Sequence, residues 1–201
     1  SLDDAMNEII NLRNYVKNIG SKLGYRIGIS GTHPDALAKN QTFVNTTGYK
    51  WVSDQLGYYA KRNITYSIHV HISVPNSKLC ITAANSLRRW IPTLLALSNN
   101  SPFFEGELTR MKSSRTFQFG TFPRTNIPDT FNSFEDYVQI VNNYIETKTI
   151  QSPRQIWWKI RPHLEYGTIE FRMLDIQRSI KNTEMFVGLL QALTYQAIQD
   201  T

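Results

Sequence analysis

The sequence holds a single cysteine, Cys80, among its 201 residues. One thiol cannot close an internal disulfide, which excludes a small stapled secreted fold. Long apolar runs are missing too. A membrane helix needs about 18–20 uninterrupted apolar residues, and the longest run, around Trp90–Leu97, is interrupted by Pro92 and Thr93. No charged-then-apolar leader opens the chain; Ser1-Leu2-Asp3-Asp4 reads as the start of a helix. The expectation is a cytoplasmic protein with no membrane segment. Both common nucleotide loops are absent, the Gly-X-X-X-X-Gly-Lys-Ser/Thr loop and Gly-X-Gly-X-X-Gly. So is the Gly-X-Ser-X-Gly turn of a serine hydrolase. Repeats, low-complexity tracts and a convincing linker are missing as well, so residues 1–201 are expected to form one domain.

Runs of one charge sign are also lacking. The net charge of +6 comes from 22 Lys and Arg against 16 Asp and Glu, scattered along the chain. A nucleic-acid interface concentrates its cations. This dispersed excess suits anionic small molecules better, and no nucleic-acid partner is expected.

What is present is core material: 41% hydrophobic and 12% aromatic residues, enough for one buried core. Leu2, Met6, Ile9, Ile10, Val16, Ile19 and Leu23 follow helical spacing, predicting a helix from Leu2 to about Leu23 that stops at Gly24. A short strand is expected at 25–30, a helix over 47–62 and a strand over 64–74. A long helix over 77–98 would be capped by Ser77 and bent near Pro92. A further strand is expected at 115–119 and a helix over 131–149. Two antiparallel strands, 156–163 and 168–176, would be joined by Leu164-Glu165-Tyr166-Gly167, and a last helix runs over 182–200. The fold class expected is α+β, a mainly antiparallel sheet with helices on one face.

Three of these strands share a pattern. His69, His71 and Ser73 alternate with branched aliphatics. Trp157, Lys159, Arg161 and His163 alternate with Ile156, Trp158 and Ile160. Glu170 and Arg172 alternate with Ile169, Phe171 and Met173. Side chains two apart on a strand share a face, so one face would be apolar and carry helices. The other, open to solvent, would gather two imidazoles, several cations and one carboxylate. A merely solvated face draws on Thr, Lys, Glu and Ser. His, Arg and Glu suit a metal–nucleotide complex, since guanidinium forks match phosphate and carboxylate oxygens and a carboxylate can hold Mg²⁺. His69-X-His71 is also a zinc spacing, but only His33 and His163 remain as further ligands. His33 reads as structural, with a functional part as the alternative for a loop histidine before Pro34.

Taken as an ordered set, these motifs resemble the type-2 glutamate–cysteine ligases, or carboxylate–amine ligases. The carriers are Gly31-Thr32-His33-Pro34, His69-Val70-His71-Ile72, Asn85-Ser86-Leu87-Arg88, Ser101-Pro102-Phe103-Phe104, Ser113-Ser114-Arg115, Phe122-Pro123-Arg124, Trp157-Trp158-Lys159-Ile160-Arg161-Pro162 and Thr168-Ile169-Glu170-Phe171-Arg172. The resemblance implies a glutamine-synthetase-like catalytic fold. It implies an ATP- and Mg²⁺-dependent ligase, cytoplasmic and serving glutathione biosynthesis, that joins a carboxylate, usually of glutamate, to an amine, usually of cysteine, through an acyl phosphate. By carry-over, Glu170 and His69 would be metal ligands. Arg115, His69 and Arg172 would be catalytic, and Arg172, Arg115, Arg161, Arg124 and His71 would bind the nucleotide.

The chain also departs from that pattern. Lys159 stands where the family tends to have an acid, and Leu108 and Arg110 stand where it tends to have an acid and a glycine. A glutamate-bearing N-terminal strand and a C-terminal portion of the family are not represented. The expectation is therefore a homo-oligomer, or a chain complemented by another segment or chain that covers the sheet edge. A relative that has lost catalysis and acts as a nucleotide-binding or partner subunit is the alternative.

Overall fold

A computed structural model describes residues 1–200. Its first helix, α1 (Leu2–Leu23), has the expected bounds. Ser1 and Asp4 form a reciprocal capping box at its start, and Gly24 ends it in the left-handed conformation. The expected 47–62 helix is α2 (Thr47–Leu56), capped by the Thr46 hydroxyl and continued by a 3₁₀ turn over Gly57–Arg62. The expected 77–98 helix divides into α3 (Ser77–Leu87), a 3₁₀ turn over Arg88–Trp90, and α4 (Ile91–Ser98). Its cap is Asn76 rather than Ser77: the Asn76 amide oxygen accepts from Leu79 N at 2.9 Å. Pro92 sits in the first turn of α4, where no intrahelical N–H is needed. Later come α6 (Phe134–Glu146) and α7 (Ile180–Gln199), with a short α5 (Ser114–Gly120) before them.

The main sheet has three antiparallel strands in the order β1 (Val70–Ser73), β5 (Thr168–Phe171), β4 (Ile160–His163). A two-stranded hairpin, β2 (Phe103–Phe104) and β3 (Glu107–Leu108), stands apart from it. The hairpin turns through Glu105 and Gly106, both at positive φ (52° and 88°), the combination a two-residue primed turn requires. The fold is thus α+β. Val70, Ile72, Ile160, Ile169 and Phe171 point from one side of the sheet into a core built with α3, α4 and α7. Pro162 is confined to β4, an edge strand, where its missing N–H costs no ladder bond. A second core, Ile81, Phe131, Tyr137, Val141, Ile150, Ile156 and Trp158, joins α6 to the segment before β4. There the Tyr137 hydroxyl donates to Pro162 O at 2.7 Å.

Two strand expectations fail. Residues 25–30 form no ladder; Tyr25 N donates back to Gly20 O at 3.0 Å, and Ser30 Oγ donates to Asn100 O, in the loop after α4, at 2.9 Å. Residues 115–119 form α5 instead of a strand. Arg115 and Phe119 are one helical turn apart, and the guanidinium lies 5.7 Å from the ring centroid, a contact that period-4 spacing permits and period-2 does not. The 64–74 strand keeps ladder pairing only over β1, with isolated bridges from Thr65 to Thr32 and Ser67 to Asp175.

Candidate functional site

The alternation places the chemistry as expected, on the sheet face opposite the helices, in three cross-strand rows. His71, Glu170 and Arg161 are direct neighbours across β1, β5 and β4. Ser73, Thr168 and His163 form the next row. On the other side, Arg172 N donates to Lys159 O at 2.8 Å, setting Arg172 beside Lys159, and His69 reaches Arg172 from β1's end, Nδ1 to Nη1 at 3.3 Å.

Glu170 is the hub. Only 2% of it is exposed. Arg161 grips Oε2 through Nε at 2.8 Å and through Nη2, and Arg172 Nη1 donates to Oε1 at 2.6 Å. His69 Nδ1 and His71 Nε2 lie 3.3 and 3.6 Å from the same Oε1. Burial pushes the Glu170 carboxyl upward, but the His69 hydrogen bond and the Arg172 and Arg161 charges outweigh it and hold the group well below the usual carboxylate range. Burial lowers His69 and His71, against the opposing pull of Glu170, so both imidazoles are neutral at pH 7.

The face is not open along its length. Arg161 Nη1 donates to the carbonyls of Arg154 (3.0 Å) and Ile156 (2.5 Å), so the 153–156 segment lies over the central row. Arg161 spends most of its donors on Glu170 and this backbone. His71 is likewise engaged: Nδ1 pairs with Thr168 Oγ1 at 2.9 Å, and its ring meets His163 and Tyr166 edge-on. Arg124, at φ 59°, donates from Nε to Gln155 O at 3.4 Å and braces the overlying segment from behind. His33 accepts from Ala36 N in its own loop, the structural part expected of it.

Around Glu170 the fold gathers the sequence-predicted Arg161, Arg172, His69 and His71. Of the predicted residues, His69, Arg115 and Arg172 reach a cleft of about 510 Å³, with Arg154 at its rim and Tyr49, Trp51, Phe119 and Trp157 as aromatic walls. No carboxylate lines it. A larger hollow of about 880 Å³ lies elsewhere, with Lys39, Lys61, Arg62, Glu105 and Glu107 in its lining. Its charges are mixed and it holds none of the predicted residues. Arg115, 4% exposed, donates to Met173 O (3.1 Å) and Arg172 O (2.9 Å), fixing α5 to the chain leaving β5. Burial lowers its guanidinium to about 10, with Asp175 opposing, so it stays charged at neutral pH.

Asp175 is the residue the sequence reading missed. It is fully buried and accepts from Ser101 Oγ (2.6 Å), Ser113 Oγ (3.0 Å) and Asn100 N (3.0 Å), with Arg115 Nη1 at 3.8 Å. A Cβ on Gly31 would stand 2.8 Å from its carboxyl carbon, so glycine is required there. The signal was available: Asp175 falls on the parity of Ile169, Phe171 and Met173, a carboxylate where the pattern demands an apolar residue.

Magnesium does not fit the residues as arranged. Among the described residues no group of three or more His, Cys, Asp or Glu could hold a metal ion, and both oxygens of Glu170 are already taken by guanidiniums. No described helix is long and apolar enough to cross a membrane.

The sequence compares clearly with known proteins. It is 37% identical over 193 residues to a protein of Herpetosiphon aurantiacus, 36% to one of Solibacter usitatus and 35% to one of Chloroflexus aggregans, each carrying the name "Putative glutamate--cysteine ligase 2". These matches take in 96% of this chain but 50% of each relative, so the chain spans about half the length of the curated relatives it matches. The sequence model of glutamate–cysteine ligase family 2 matches residues 1–201. With motif order, sheet-face chemistry and whole-chain match in agreement, the chain belongs to glutamate–cysteine ligase family 2.

Proposed function

We propose that this chain is the anion-binding sheet of an ATP-dependent carboxylate–amine ligase, with a glutamine-synthetase-like arrangement of sheet and cleft. The observation that carries the reading is the cleft itself, which is lined by His69, Arg115 and Arg172, with Arg154, paired with Glu165 at 2.7 Å, at its rim, and by no carboxylate. Such a lining attracts polyanions, and the aromatic walls offer faces on which a purine can stack. The reaction proposed is attack of a carboxylate oxygen, that of glutamate or a similar acid, on the terminal phosphoryl of ATP. This gives ADP and an acyl phosphate. An amine nitrogen, that of cysteine or another amine, then displaces phosphate, forming the amide and giving up a proton. Phosphoryl transfer asks for charge neutralisation and positioning, which buried guanidiniums supply without reorganisation. Magnesium enters as the counter-ion of ATP's phosphates, and no residue described here is assigned to hold it.

A second reading has its own observation. The one carboxylate on the face is saturated by cations, so the chain could bind nucleotide without turning it over, as a binding or partner subunit. Calorimetric titration of the chain with Mg·ATP, alongside Arg172→Met, tests both, followed by phosphate release with glutamate and a panel of amines. Binding weakened about tenfold or more by the substitution, with amine-dependent phosphate release, is the result expected. Binding without release selects the partner subunit, and no binding rejects the cleft as a nucleotide site.

A further inference from the structure

Behind the cleft, between α5 and the chain leaving β5, lies a cavity of about 10 Å³, the space of a single water-sized species. Arg115, Lys159 and Arg172 line it, with Trp157, Thr116 and Thr125 among the other walls and no carboxylate. Two polar atoms of its lining residues lack any partner: Arg115 Nε and Arg172 Nε are both buried and make no hydrogen bond. Their side chains are 4% and 10% exposed. Buried donors left unpaired cost about 1–3 kcal/mol each, more when charged, so such atoms mark a missing acceptor.

The local charge points the same way. Glu170 and Asp175 are the carboxylates in contact with this cluster, facing Arg115, Arg161 and Arg172. Lys159 adds a fourth cation with no acid partner among the described residues. Burial and the nearby Arg115 charge lower its ammonium below the usual lysine range. Four cations against two carboxylates leave an excess of two in a region mostly withdrawn from water, and uncompensated buried charge is costly.

We propose that Arg115, Lys159 and Arg172 form a binding site for one monoatomic anion of the chloride class, seated in this cavity beneath the cleft floor. The anion would accept from the two orphaned Nε donors and offset the Lys159 charge. The cavity is too small for a whole phosphate or carboxylate group. The site needs neither nucleotide nor turnover, so it stands or falls apart from the ligase reading.

The test uses the chain without nucleotide. Chloride binding is followed by NMR line broadening, by thermal unfolding in sodium chloride against sodium gluconate at equal ionic strength, and by bromide quenching of tryptophan fluorescence, since Trp157 lines the cavity. Saturable broadening, displaced by bromide, and a higher unfolding temperature in chloride than in gluconate are expected. Lys159→Met, which keeps the aliphatic stem, should weaken halide binding about tenfold or more; Lys159→Gln serves if the methionine variant does not fold. Equal behaviour in chloride and gluconate would overturn the proposal, because a water would then fill the cavity. Displacement by phosphate but not by bromide would overturn it too, making the cavity the inner end of the substrate cleft.

Discussion

Replacing Glu170 by glutamine separates a structural anchor from a ligand that waits for a metal. The carboxylate is 2% exposed and is held by two guanidiniums. Glutamine keeps the volume and one acceptor but removes the charge that offsets Arg161 and Arg172. Arg161 retains backbone carbonyls of the 153–156 segment. Arg172 is worse placed: its Nε already has no partner, and only His69 Nδ1 would remain beside its Nη1. Removing one partner of a buried ion pair costs about 3–5 kcal/mol, which in a domain of this size lowers the unfolding temperature by roughly 6–20 °C. The assay is urea and thermal unfolding at pH 7 of the wild type, Glu170→Gln, Arg172→Met and the double variant. Because the methionine removes the stranded charge, the double variant should cost less than the two singles together, with a coupling of about 1–3 kcal/mol. A Glu170→Gln loss under about 1 kcal/mol, with strict additivity, would refute the reasoning. Glu170 would then be a carboxylate free to serve a ligand, as the family resemblance implies.

Acid should destabilise the protein in two stages. Burial lowers His69, His71 and His163, so folding favours their neutral forms. That stability is fully present above their ordinary value of 6.5 and falls as pH drops below it. Glu170 is depressed in the fold, so its contribution is present above its ordinary value of 4.5 and is lost progressively as pH falls below that; unfolding temperatures from pH 8 down to about pH 2 should show both declines, and a flat profile across the histidine range would contradict the first. Gly31→Ala should cost about 1–3 kcal/mol, since its methyl would press on Asp175 and Ser101, as urea unfolding would read. Arg110 adopts φ 62° and is exposed, so Arg110→Gly should raise stability by about 0.5–1 kcal/mol if the relief of left-handed strain exceeds glycine's unfolded-state entropy. Cys80 is buried, its thiol pushed up to about 11 by burial, and should react with a disulfide reagent only as fast as the chain opens.

The sheet was legible in the sequence because alternation is a local signal. Three short segments with polar residues at every second position fixed which side chains share a face, and the observed register joins them as that parity requires. The ends of α1 were legible for a similar reason: its cap, acidic first turn and glycine stop lie within the helix and its flanks. Long-range features were not. That the 153–156 backbone lies over Glu170 depends on where Arg161 spends its donors, which no spacing encodes. Asp175 gathers partners from loops about 60 to 75 residues away. Its misplaced parity hints at burial, while its partners emerge only in three dimensions. The 115–119 error arose because Arg115, Phe117 and Phe119 alternate like a strand, whereas the decisive contact, Arg115 over Phe119, has helical spacing.

These distinctions divide the site residues by what each can still do. Arg161, Arg124 and His71 were expected to meet the nucleotide; in the fold Arg161 binds Glu170 and backbone carbonyls, Arg124 Nε binds Gln155 O, and His71 meets Thr168 and neighbouring aromatics. They hold the floor rigid, and a rigid floor lets a charged group act without first reorganising. His69 and Arg172 remain at the end of the face that the overlying segment leaves uncovered, with Arg115 beneath them. The only carboxylate in the row has already been spent on holding Arg172 in place. Glu170 thus serves the cleft indirectly: it fixes the orientation of a guanidinium and partly offsets its charge. The surplus positive charge left on the remaining side chains then sets which ligands the cleft attracts.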